Sequence, residues 1–137
     1  MTLVVDSSIA ASWGMPDENS PAATRALFLA LEEGVVVPSV FWHELRNVFL
    51  VNERRKRLSL EETQTGLLAV GDLFPQIDDS EAHGVVLSLA RKYLLSAYDA
   101  SYLELALRSS STLATLDHRL ARAALSENLS VVSDMAR

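Results

Sequence analysis

Five short segments of aliphatic and β-branched residues, each separated by enough chain for at least one helix, constrain this sequence most. They are Val4-Val5 leading into Asp6, Val35-Val36-Val37-Pro38, a briefer stretch around Ile77, Thr112 to Leu116 ending at Asp117, and Val131-Val132. Short apolar runs bounded by turn residues read as buried strands. The intervening chain carries helix signals. Ser20-Pro21 gives the N-cap-then-proline order, and the helix it opens runs to about Glu33 and stops at Gly34. A longer helix is expected from about Ser39 to Arg57, and the capping box Ser59-Leu60-Glu61-Glu62 starts another that reaches about Phe74. Further helices are expected over roughly Ser80 to Tyr93, Tyr98 to Arg108 and His118 to Glu127. Strands alternating with helices predict an α/β fold with a mainly parallel central sheet. No repeat or interdomain linker is visible, and the most loop-like internal piece is Asp17-Glu18-Asn19-Ser20. A single domain over residues 1–137 is the expectation.

Composition narrows the chemistry. Hydrophobic residues make up 49% of the 137, enough for a core that needs no staple. The chain has no cysteine, which excludes thiolate zinc sites, thiol nucleophiles and disulfides and fits a reducing cytoplasm. No run nears the roughly 18 apolar residues of a membrane span, and the opening Met1-Thr2-Leu3-Val4-Val5-Asp6 lacks the basic start of a signal peptide. Twelve Lys and Arg against 18 Asp and Glu leave a net charge of −6. Such a balance opposes general nucleic-acid binding, because phosphate is repelled before any contact forms. It turns attention to where the acids fall.

Open parallel sheets bind ligands beyond the carboxyl ends of their strands. Asp6 and Asp117 each follow an apolar strand directly, while Glu44 lies in the first turns of the long helix and Asp99 at the start of another, helix starts that open toward the same edge when they follow strands. Four acids remote in sequence are thus expected to meet at one sheet edge. Packed carboxylates repel unless a cation joins them, and their hard oxygens suit Mg²⁺ or Mn²⁺. Neutralising all four would bring the net charge from −6 to −2. Each acid also has a purely structural reading. Asp6 and Asp117 are good N-caps, Asp99 completes a capping box with Ser96, and Glu44 favours a helix start. Their joint placement, rather than any one of them, points to a metal site.

The same residues carry a family resemblance. Val4-Val5-Asp6-Ser7-Ser8-Ile9-Ala10, followed by Trp13 and Pro16-Asp17-Glu18, resembles the opening of the PIN-domain VapC toxins. Val37-Pro38-Ser39 through Glu44-Leu45-Arg46-Asn47, Leu95 through Leu103, and Leu113-Ala114-Thr115-Leu116-Asp117-His118-Arg119-Leu120 resemble their later motifs, in the family's order and across nearly the whole chain. The resemblance implies a three-layer α/β/α PIN fold, a homodimer, and Mg²⁺- or Mn²⁺-dependent endoribonuclease activity. It further implies a cognate VapB-like antitoxin that blocks the site. Asp6, Glu44, Asp99 and Asp117 carry over as metal-binding catalytic acids, and Ser7, Asn47 and Thr115 as donors that orient them. Hydrolysis of this kind leaves a 5′-phosphate and a 3′-hydroxyl. Gly14-Met15 departs from the family pattern, where bulkier apolar residues are expected after Trp13.

Other motifs lead elsewhere or nowhere. His43-Glu44-Leu45-Arg46-Asn47 opens like a zinc-protease helix but lacks the second histidine. Neither Gly-x-Ser-x-Gly nor a phosphate loop occurs. Arg119 and Arg122, near the expected site, are candidates for phosphate contact, whereas Arg54-Arg55-Lys56-Arg57 reads first as cations at a helix C-terminus. His118 reads as a solvated residue in a first helical turn. Trp13, Trp42 and Tyr98 read as packing residues, with base stacking as the alternative. Two rival functions remain at this point. A Mg²⁺-dependent phosphatase needs a second acid two residues after the first, where this chain has Ser8. A non-catalytic module would use the acidic pocket to receive a basic partner.

Overall fold

The structure, a computed structural model, describes residues 2–16 and 20–135. Its elements run β1 (Leu3–Val5), α1 (Ser7–Gly14), α2 (Pro21–Glu33), β2 (Val35–Pro38), α3 (Phe41–Arg54), α4 (Leu60–Gly71), β3 (Gln76–Asp78), α5 (His83–Tyr93), α6 (Ala97–Ser109), β4 (Thr112–Ala114), α7 (His118–Ser126) and β5 (Val131–Val132). The strands form one sheet in the order β3-β2-β1-β4-β5, and every pairing is parallel. The chain builds outward from β1 to β3 and then returns to place β4 on the other side of β1. Right-handed crossovers put the helices of these two excursions on opposite faces. Accordingly α1 to α4 pack among themselves, as do α5 to α7, giving three layers.

Burial follows from that arrangement. Leu3, Val4, Val5, Leu113 and Ala114 are fully buried, as central parallel strands covered on both faces must be. Phe41, Leu45 and Phe49 of α3 and Tyr102, Leu103 and Leu105 of α6 fill the flanking layers. Edge strand β3 is tied in by charge. Arg108 of α6 bonds Asp78 at 2.8 Å and Glu104, one turn earlier and only 2% exposed, at 2.7 Å.

Several boundaries differ from the sequence expectation. The segment after Asp6 forms α1, a helix that two serines and a terminal glycine concealed; its start is marked by Asp6, whose carboxylate accepts from Ile9 N. Helix α3 starts at Phe41 and not Ser39, because Ser39 turns its hydroxyl to Glu81 at 2.7 Å. Helix α5 starts at His83 and not Ser80, whose amide bonds the Asp78 carboxylate at 2.9 Å in a turn. Helix α4 ends at Gly71, and Phe74 takes a left-handed φ of 51° before β3. The capping box at Ser59 and Glu62 forms as expected. Of the loop at 17–20, only Ser20 lies within the described residues; it caps α2.

Gly14 has a clear reason to be glycine. A Cβ there would sit 2.6 Å from Phe49 Cζ and 3.1 Å from Gly66 Cα, so α1 and α4 touch backbone to backbone. The departure that looked like a packing weakness is the contact point of two helices.

Candidate functional site

The register of the two central strands builds the site. Val5 lies beside Ala114, so the next residues, Asp6 and Thr115, emerge side by side at the carboxyl end of the sheet. This is the switch point, where the chain has gone one way from β1 to β2 and the other way to β4. Asp6 is 5% exposed and its carboxylate is held at three points. Ser8 Oγ donates at 2.6 Å, Ile9 N at 3.2 Å and Thr115 Oγ1 at 2.5 Å. The two hydroxyls are themselves oriented, since Leu116 N donates to Ser8 Oγ and Asp117 N to Thr115 Oγ1. Burial, the largest influence, pushes the Asp6 carboxyl from 3.8 up to about 6 despite these bonds, and the nearby charge of Asp99 adds to the rise.

The other three acids arrive from three different elements. Glu44, in the first turn of α3, is half-buried and accepts from Tyr102 Oη at 2.7 Å. Burial raises its pKa, the Tyr102 bond opposes that, and the charge of Asp99 reinforces it. Asp99 stands in the first turn of α6, whose N-cap Ser96 accepts from Asp99 N at 3.0 Å. Burial and the charge of Asp117 raise Asp99, while Ser96 and Arg119 pull it down. Asp117 is the exposed N-cap of α7, accepting from Leu120 N at 3.0 Å with one of its two oxygens. Asp99 is therefore the hub, sensing Asp117 and sensed by Asp6 and Glu44. The capping reading of Asp6 and Asp117 holds, each accepting an amide of the helix it opens, and each follows one of the two central strands.

The ion pairs among the described residues, Lys92–Glu127, Arg108–Asp78 and Arg108–Glu104, involve none of the four acids. Among the described residues no three side chains converge as a closed ligand set. A hard dication does not require one, since Mg²⁺ keeps several waters and takes only one or two carboxylates directly. The donor type, carboxylate oxygen throughout, fits such an ion.

The remaining candidates are spread more widely. Thr115 touches Asp6 directly. Ser7 and Asn47 make no side-chain hydrogen bond among the described residues, and Asn47 is exposed one turn after Glu44 on α3. Ser8 and Tyr102 supply the contacts instead. Arg119 is exposed, bonds the Leu94 carbonyl at 3.2 Å and feels Asp99; Arg122 is exposed one turn along α7. Arg54 to Arg57 and His118 are exposed, and the His43 ring meets Arg46 at 3.2 Å. Trp13 donates to the Ala23 carbonyl at 2.7 Å and Trp42 packs edge-on to Phe41, so both are packing residues. Tyr98 is 59% exposed and is not.

Fold and site together define a class, and comparison with known proteins agrees. Residues 3–125 match the PIN domain family. A curated relative, Ribonuclease VapC3 of Pyrobaculum aerophilum, is 32% identical over 124 residues, covering 88% of this chain and 93% of that protein. The chain belongs to the PIN-domain family and, within it, to the VapC group. Solved structures share the fold at low identity. PAE2754 from Pyrobaculum aerophilum superposes with a TM-score of 0.73 at 21% identity, over 96% of this chain and 84% of that one. VapBC2 from Rickettsia felis, solved bound to a DNA fragment from its promoter, gives 0.61 at 19% identity, over 97% and 98%.

Proposed function

We propose that this chain is the toxin of a toxin–antitoxin pair, an endoribonuclease dependent on Mg²⁺ or Mn²⁺ that hydrolyses RNA phosphodiester bonds. The observation that carries this reading is that Asp99 exchanges charge repulsion with Asp6, Glu44 and Asp117 near the switch-point edge, while none of the four is in an ion pair among the described residues. Kinship with a protein named as a ribonuclease supports the reaction class.

Asp6, Glu44, Asp99 and Asp117 would hold the ion. When bound, a divalent cation stabilises phosphoryl charge and makes water a better nucleophile at neutral pH. Thr115 and Ser8 fix both oxygens of Asp6, and Tyr102 fixes one oxygen of Glu44, so these two carboxylates present unshared lone pairs in set directions. Arg119, whose charge reaches Asp99, and Arg122, one turn further along α7, would meet a phosphate of the RNA strand. The phosphatase alternative loses support, because the place of its second acid is held by Ser8, whose hydroxyl is already shared between Asp6 and Leu116.

The partners of this reading are RNA, a VapB-like antitoxin whose basic side chains would enter the acidic site, and a second copy of the chain. An antitoxin partner is supported by the likeness to VapBC2. No helix among the described residues is long and apolar enough to cross a membrane, and the proposed place of action is the cytoplasm.

The test is cleavage of a mixed RNA pool by purified protein with Mg²⁺, Mn²⁺ or EDTA, beside Asp99→Asn. Metal-dependent cuts bearing 5′-phosphates that vanish in the variant are expected. No cutting by folded, antitoxin-free protein would replace the nuclease with a module that only binds a basic partner, a reading that the open arrangement of the acids favours.

A further inference from the structure

Beside the carboxylates lies a hollow of about 470 Å³ whose walls come from the segments that carry two of the acids. Val40 forms part of it and accepts the amide of Glu44 one turn later. Ala97 and Tyr98 form another part, immediately before Asp99. Leu87 of α5 closes the apolar side and is 44% exposed. Tyr98 offers an aromatic ring 59% exposed to solvent, with no packing role to explain it. Glu81 stands at the polar rim. Its Oε1 is held by Ser39, through the hydroxyl at 2.7 Å and the amide at 3.3 Å, while Oε2 accepts from no other residue among those described. The Ser39 bond also holds the Glu81 carboxyl below its usual range, so it is charged and can only accept.

Resting on the nuclease reading, we infer that this hollow is a nucleobase subsite that takes one unstacked base of the RNA strand, guanine in preference to uracil, while a neighbouring phosphate lies at the acids. An aromatic face against an aliphatic wall is how single-stranded RNA bases are commonly held, with polar groups reading the Watson–Crick edge. A fixed, charged acceptor selects by sign. Guanine presents two adjacent N–H donors on that edge. Uracil presents one, flanked by carbonyl oxygens that a carboxylate repels. An apolar protein side chain would fill the wall but leave Glu81 Oε2 facing nothing, at a cost in desolvation.

The experiment uses the full chain in two arms. In the first, guanosine and uridine, which lack the phosphate that the acids would sense, are titrated against wild type, Tyr98→Ala, Tyr98→Phe and Glu81→Gln in EDTA by NMR. Guanosine is expected to bind at least fivefold tighter than uridine. Tyr98→Ala should weaken both tenfold or more, as loss of a stacking face does, and Tyr98→Phe should retain them. Glu81→Gln, which can donate as well as accept, should erase the preference. In the second arm, cleavage ends are mapped, and Glu81→Gln should broaden the bases found beside the cut without abolishing cutting.

Equal binding of the two nucleosides by wild type, or indifference to all three substitutions, overturns the subsite. So does a change in oligomeric mass in Tyr98→Ala with nucleoside binding intact, which would make the hollow a protein interface. If wild type cuts no RNA with any divalent ion yet keeps its nucleoside preference, the nuclease reading falls and the base subsite stands.

Discussion

Asp6 shows how a residue can be costly to the fold and still be kept. Its carboxyl is raised from 3.8 to about 6, chiefly by burial, so its native-state preference is for the proton. A raised carboxyl contributes most below its unfolded pKa, and that contribution is lost as pH climbs through the folded value. The metal-free protein should therefore lose stability between about pH 4 and pH 6. Asp6→Asn should then be more stable than wild type at pH 8, by about 1–3 kcal/mol, while cutting no RNA. Urea melts in EDTA at pH 5 and pH 8 check this, and a variant less stable than wild type at pH 8 would show that its hydrogen bonds outweigh its burial. Neighbouring serines should separate cleanly. Ser8→Ala removes a bond to Asp6 and strands the Leu116 amide, a loss of about 1–2 kcal/mol by melting, whereas Ser7→Ala should be neutral within about 0.5 kcal/mol. Tyr102→Phe frees Glu44 and should lower cleavage or Mn²⁺ affinity about 10–100-fold with the fold kept. The places of the four acids in the fold were legible because each directly follows a strand or opens a helix. Ser8 was not, since choosing it over Ser7 needs the phase of a helix that the sequence hid. Tyr102 was not either: its partner is 58 residues away, across a contact between α3 and α6 that no local pattern encodes.

Elements were easier to read than their ends. Among the described residues, every strand and six of the seven helices stand where apolar runs, caps and glycine stops put them, and the parallel sheet follows from their alternation. What escaped was set by partners outside the element, as when Ser39 leaves the expected start of α3 for Glu81 or when α1 meets α4. That meeting makes a sharp prediction. Gly14→Ala drives a Cβ into Phe49 Cζ, the end of a side chain, whereas Gly66→Ala drives one to 2.7 Å from the Gly14 carbonyl oxygen. Each should cost about 1–3 kcal/mol, and Phe49→Leu should relieve the first but not the second in a double-mutant cycle. Equal relief of both would mean that the helices can slide apart. The tie between α6 and β3 should behave as a buried charge network. Arg108→Met leaves Glu104 buried and unpaired and should cost about 3–5 kcal/mol, much of it recovered when Glu104→Gln is added.

At the scale of the whole molecule, an acidic chain is proposed to act on an acidic polymer, and a dication bound at the proposed site would serve the fold as well as the reaction. Mn²⁺ at a hundredfold excess over its Kd should stabilise wild type by about 2–3 kcal/mol at pH 8. The gain should be smaller at pH 5, where protons compete for Asp6, and absent in Asp6→Asn at either pH. Thermal melts with and without EDTA measure it; an equal gain in Asp6→Asn would place the ion elsewhere. The strand order has one more consequence, in time. β1 is synthesised well before its partner β4, and Thr115, the residue bonded to Asp6, follows Asp6 by 109 residues. At about 5–20 residues per second, one flank of the central strand stays unpaired for roughly 5–20 s of synthesis. Through that interval a growing chain holds Asp6 and Glu44 but neither Asp99 nor Asp117 in place. The proposed nuclease site would therefore stay incomplete until most of the chain has been synthesised.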